Sequence, residues 1–157
     1  MSNSTMQHWQ RLSKRPAGKW LFSRIVCLTT PYFSSIGPRF VELERFRSVV
    51  TLRKRRKVHN HLGTVHAIAV CNLAEAAAGV MTHASMPSNY RWIPKRMSVE
   101  YLLKAETDLK AVAVIDPPPA FDGPEDVPVK VSVTDTADQV VFTAVITMYI
   151  TPRKSEA

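Results

Sequence analysis

Val65 to about Ala84 is a run of helical length, rich in alanine and apolar almost all round. A surface helix needs a polar stripe, and this one has none wide enough, so it has to be buried. Thr64 is the predicted N-cap, and Met86-Pro87-Ser88-Asn89 closes the helix. Two segments of period-two alternation precede it, Phe40 to Phe46 and Ser48 to Val58. Four follow, at about Arg96 to Ala105, Asp108 to Ile115, Val127 to Asp135 and Gln139 to Thr151. The last four strands have no helices between them, which disfavours a parallel sheet. The predicted fold is α+β, with one curved antiparallel sheet wrapped round one buried central helix.

Ahead of the strands, Met6, Trp9 and Leu12 recur at helical spacing, and a second one-sided pattern runs from Pro16 to Pro31. They predict two short amphipathic helices packed on the domain, so the expected organisation is a helical arm over residues 1–37, a domain over 38–152 and a tail over 153–157. Trp20 to Leu28 does not read as an export signal, because Arg24 interrupts it and no clean small-x-small site follows. No uninterrupted apolar run approaches the roughly 18 residues of a membrane span. Asp116 to Pro128 holds five prolines and four acids, which predicts a long mobile hairpin loop.

The net charge of +8 is lopsided. Met1 to Lys57 carries 13 Lys or Arg against Glu42 and Glu44 only. An anionic partner or surface for this third follows, with a membrane-touching face of the N-terminal helices as a minor alternative. The run Arg53 to Lys57, read as part of the second strand, protects an exposed edge. No nucleic-acid module accompanies it, so no nucleic-acid partner is expected. Cys27 and Cys71, both among apolar residues, read as free thiols in a reducing cytoplasm.

The polar residues that the buried helix tolerates point to function: His66, Asn72, Glu75 and His83. Asn72, Glu75 and Gly79 fall at i, i+3 and i+7 and share a face. Glu75 stands among Leu73, Ala74, Ala76, Ala77 and Ala78. Burying an unpaired carboxylate costs several kcal/mol. Glu75 is therefore either paired with a basic strand residue such as Arg96, open to a wet groove, or a base or nucleophile whose pKa the apolar setting raises. His59, His61, His66 and His83 find no Cys, Asp or Glu nearby to complete a coordination shell, so no metal is expected.

Asn60-x5-His66, followed by Glu75 within Leu73-Ala74-Glu75-x3-Gly79, resembles the core motif of hotdog-fold acyl-CoA thioesterases. The phenylacetate-pathway and 4-hydroxybenzoyl-CoA enzymes are the nearest likeness. It extends from about Arg39 to Ile150, supported by Tyr101-Leu102-Leu103-Lys104-Ala105 and the closing strand Val140 to Ile150. The N-terminal helices are similar to those of an uncharacterised single-hotdog subfamily. The resemblance implies a hotdog fold, an acyl thioester substrate with coenzyme A as part of it and no other cofactor, and a homodimer or dimer of dimers. Glu75, His66, Asn60 and Ala67 are then the expected catalytic group. Ile68, Asn72, Arg91, Lys95 and Arg96 are expected to bind substrate, with Arg53 to Lys57 as a second cationic set.

His66 and Glu75 lie nine residues apart, about 13.5 Å along one helix axis. They reach one carbonyl only if they come from two antiparallel helices across a twofold axis. Ala67 and Ile68 stand where the family has glycine. Alanine keeps the N–H that would hold an oxyanion but adds a methyl group there. A non-catalytic hotdog protein that binds an acyl or acyl-CoA ligand is the alternative reading.

Overall fold

The computed structural model describes residues 3–153. Two helices, Ser4–Leu12 (α1) and Gly18–Thr29 (α2), lead through a 3-10 turn at Pro31–Ser35 to strands Arg39–Glu44 (β1) and Arg47–Leu52 (β2). The alanine-rich helix Ala67–Ser85 (α3) follows, then strands Tyr90–Tyr101 (β3), Leu109–Val114 (β4), Glu125–Thr134 (β5) and Val140–Pro152 (β6). The six strands form one sheet in the order β1-β2-β4-β5-β6-β3, with every neighbouring pair antiparallel. This is the hotdog arrangement, a sheet wrapped round one helix.

The small side chains of α3 let the sheet approach it closely. Leu73, Ala74, Ala76, Ala77, Ala78 and Met81 are fully buried against strand residues such as Val50, Leu109, Ala111 and Val129. The Ser48 hydroxyl donates to the Ala77 carbonyl at 2.9 Å, tying β2 to the helix. By length and composition α3 could cross a membrane, but here the sheet is its solvent.

The N-terminal helices pack on the domain as expected, and they share its core. Trp9, Phe22 and Phe40 form an edge-to-face series with centroids 5.1 and 5.6 Å apart. Helix α2 also covers the free edge of β1. The Phe40 N–H donates to Ser23 Oγ at 2.9 Å, and the Lys19 ammonium donates to the Val41 carbonyl at 2.7 Å. An uncovered edge is a template for unwanted pairing, and the arm removes that hazard on this side. Of the expected tail, residues 154–157 lie outside the described residues.

Three expectations need correction. Strand β2 ends at Leu52, opposite Leu109, where its antiparallel partner β4 begins. Arg53 to Lys57 is therefore not strand. The Lys54 N–H goes to the Asp108 carboxylate at 2.7 Å, and the Arg55 guanidinium donates to the Ile36 carbonyl at 2.9 Å. Since β2 lies between β1 and β4, the run protects no edge. Strand β3 starts at Tyr90, well before Arg96. Its Pro94 is tolerated because β3 is an edge strand with a register shift between Pro94 and Arg96. Finally, the proline-rich connection is anchored. The Phe121 ring packs 5.4 Å from Tyr90 and 6.4 Å from Phe46, and the Tyr90 hydroxyl donates to the Phe121 carbonyl.

Candidate functional site

The site begins in the turn before α3. Asn60 organises it: its Oδ1 accepts from the Leu62 and Thr64 N–H groups at 3.0 and 3.1 Å, and its Nδ2 donates to Thr64 Oγ1 at 2.8 Å. Gly63 supplies the positive φ (+75°) that the turn requires. The Val65 N–H then donates to the Ala105 carbonyl and the His66 N–H to that of Val58, both at 2.8 Å. These long-range bonds hold Val65 and His66 out of the helix. The N-cap is therefore His66 rather than Thr64, and its Nδ1 accepts from the Ile68 N–H at 3.1 Å. Among the described residues nothing accepts from the Ala67 N–H. That donor sits at the positive end of the helix dipole.

Along α3, Ile68, Cys71 and Glu75 lie on the partly open side, while Asn72, Thr82 and Ser85 are buried. Ile68 opens that side, 55% exposed, and Glu75 lies two turns on, half-buried. The alanines face the sheet, so Glu75 is not enclosed as its neighbours in sequence suggest. It has no ion pair or hydrogen bond among the described residues. On one flank, Asn72 is only 4% exposed, and its amide donates to Ser35 Oγ at 3.2 Å. On the other, Cys71 Sγ lies 3.0 Å from the Tyr101 hydroxyl. That hydrogen bond, with partial burial, pushes the Tyr101 phenol up to about 12. One turn beyond Glu75, the Trp92 ring lies over Gly79, where an added Cβ would stand 2.9 Å from it.

Two cavities flank the helix start. One, about 190 Å³, has a mixed lining that includes Tyr32, Ser35, Lys57, His59, His66 and Asn72. In its walls His59 Nε2 and Asn72 Oδ1 are buried with no hydrogen-bond partner. Each such atom costs about 1–3 kcal/mol, a cost that a water or a substrate group would relieve. The other, about 220 Å³, is largely apolar, with Leu62, Ala67, Val70, Tyr101, Leu103 and Phe142 in its lining. A larger cavity of about 660 Å³ lies between α1, β1 and residues 84–87. Its lining includes neither His66 nor Glu75, so chemistry and volume part company, and the chemistry marks the site.

The structure brings His66, Ile68 and Asn72 to one cavity and Asn60 with Ala67 to the other. Glu75 stands further along the same helix, and no element in one chain closes the distance to His66. The strand cations do not gather with Glu75. Opposite β6, Arg91 and Arg96 pair with Thr151 and Thr147, while Trp92 and Met97 pair with the buried Ile150 and Ile146. The two arginines therefore project from the sheet face away from α3, which rules out a Glu75–Arg96 pair, one of the three readings of Glu75. Lys95 is held by Asp126 at 2.7 Å, over the Tyr149 ring. Of the cations weighed from sequence, Lys57 is the one that reaches the helix start. Cys71 was findable, since it stands four residues before Glu75. Tyr32 and Ser35 carry no local signal and reach the site only through the packing of the arm. Among the described residues no cluster of three or more metal-ligating side chains occurs.

The model of a domain of unknown function, DUF4442, matches residues 18–150. No curated protein matches the chain. The structural-genomics crystal structure APC5556 is 47% identical, covers 94% of this chain and 96% of its own, and superposes with a TM-score of 0.79. A thioesterase family protein from Silicibacter pomeroyi is 17% identical over 83% of this chain and 96% of its own, with a TM-score of 0.71. Thioesterase HI1161 from Haemophilus influenzae is 10% identical over 80% and 85%, also at 0.71. At such identities the last two likenesses show the fold alone. The family match takes in α2 and the whole sheet as far as Ile150, and by it the chain belongs to the DUF4442 family, on the hotdog fold.

Proposed function

We propose that this protein hydrolyses an acyl-CoA-like thioester in a cleft completed by a second copy of the chain. The observation that carries this reading is Glu75, a carboxylate left half-open and unpaired on the partly open side of a largely buried helix. No cation holds Glu75 among the described residues, which leaves its carboxylate free to act on a ligand in the groove it faces. In the cleft, Glu75 of one protomer removes a proton from water, and the resulting hydroxide adds to the thioester carbonyl. Direct attack by Glu75, through an anhydride that water then opens, serves the same end. The developing oxyanion is held by the Ala67 N–H at the start of the other protomer's α3. Collapse of the intermediate expels the thiolate. His66 and Asn60 act by holding the helix start in shape.

The apolar cavity beside Ala67 suits the acyl group, and Lys57, with its basic neighbours, suits the carrier's phosphates. The hotdog thioesterases that share the fold give the same reaction class independent support. An assay for free thiol over a panel of acyl-CoA substrates tests this reading. Thiol release that depends on the protein is expected for at least one member. The second reading, a binder without turnover, is favoured by Ala67 and Ile68 in the place of glycines; it would show as saturable acyl-CoA binding with no thiol released.

A further inference from the structure

Helix α2 turns Phe22, Ser23, Val26 and Cys27 inward, and its other side is unusual for a water-facing helix. Trp20 (51% exposed), Leu21, Ile25 and Leu28 (74% exposed) stand out from the surface. With Arg24 they occupy an arc of about 140° at 3.6 residues per turn. Arg24 lies inside this arc, and Arg39 lines the same recess as Trp20. Neither arginine is in an ion pair among the described residues. From Met1 to Val41 the chain holds six Lys or Arg and no Asp or Glu.

We propose that this face of α2 docks on an anionic lipid surface, with the helix lying in the plane of the interface. Each part of the pattern suits that occupant. The aliphatic side chains enter the boundary between headgroups and acyl chains. Trp20 is of the type that favours that depth, and Arg24 and Arg39 extend their guanidinium groups to lipid phosphates. A second copy fits poorly, because a twofold contact would set Arg24 against cations with no acid in the arm to offset them. Nucleic acid fits poorly too, since Leu21, Ile25 and Leu28 offer nothing to a phosphate backbone. This inference stands on the outer face of the arm and does not depend on thioester chemistry.

Sedimentation of the full chain with vesicles tests it, using phosphatidylcholine alone and phosphatidylcholine mixed with phosphatidylglycerol, at low salt. Retention on the mixed vesicles is expected to exceed that on phosphatidylcholine. A blue shift of tryptophan emission should accompany it and be lost in Trp20→Phe. Leu28→Asp, at a side chain already in water, should fold normally by circular dichroism and lower retention about tenfold or more. Absence of retention on the mixed vesicles would overturn the proposal. So would retention that salt abolishes but Leu28→Asp leaves unchanged, which is charge attraction without insertion. A smaller particle mass for Leu28→Asp in light scattering would assign the face to a second copy. Retention on DNA that falls in step with Leu28→Asp would assign it to nucleic acid. Either result would refute lipid docking.

Discussion

His66 shows how one residue's work depends on distant chain. Thr64 is the better cap by residue type, but carbonyls from Val58 and Ala105 fix the backbone just before the helix, and the imidazole caps instead. Local propensity cannot show this, because both carbonyls arrive from outside the segment. Glu75 was legible as a polar intrusion in an apolar helix, yet its half-open setting was not, since that depends on which helix face the sheet leaves bare. His83, near the end of α3, has its pKa lowered by burial and by the nearby Arg153 cation. The unfolded chain therefore takes up a proton at a pH where the folded one does not. The associated stability is complete above about 6.5, the ordinary His value, and is lost as the pH falls below it toward the folded pKa. Urea midpoints measured across this range should fall on the acid side, and His83→Gln should flatten that fall. Thiol labelling offers a second check. Cys27 is buried and its thiol is pushed up by desolvation, so Cys71 should react with a maleimide first; equal rates would mean that α2 opens readily from the domain.

Elements were legible wherever periodicity is strong and burial one-sided. The helix α3, the strands β4 and β6 and the two arm helices all follow from spacing. The basic run 53–57 looks like a continuation of the strand before it, and only the start of β4 at Leu109 explains why β2 stops. The proline-rich connection misled for a related reason: composition reports solvent-facing positions and hides one anchor, Phe121. Phe121→Ala should cost about 1–3 kcal/mol in urea unfolding, less than a fully enclosed phenylalanine; no loss would mean that the loop does not pack. The arm should behave as part of the core. Phe22 lies between Trp9 and Phe40, so Phe22→Ala should cost about 3–5 kcal/mol. A single unfolding transition by fluorescence and circular dichroism is expected for that variant as for the parent.

At the scale of the whole molecule, the two edges of the sheet differ. Helix α2 covers β1, whereas no described element covers β3. Near the bare edge, Leu62, Ile68, Leu102 and Leu103 are exposed at the helix start and the turn after β3. A second copy would bury this surface and bring one chain's helix start to the other chain's Glu75. Light scattering at micromolar concentration should give at least twice the 17.6 kDa of one chain. A stable, folded monomer would remove the shared site.

The most direct test is Glu75→Gln, assayed for thioester hydrolysis and urea unfolding on one preparation. The substitution keeps size and hydrogen-bonding capacity but removes the carboxylate. Positioned base catalysis contributes about 10²–10⁴-fold, so turnover should fall at least about 100-fold. Stability should change by no more than about 0.5 kcal/mol, since Glu75 has no ion-pair partner to lose among the described residues. Undiminished hydrolysis by a well-folded Glu75→Gln protein would contradict the assignment of Glu75 as the reacting carboxylate.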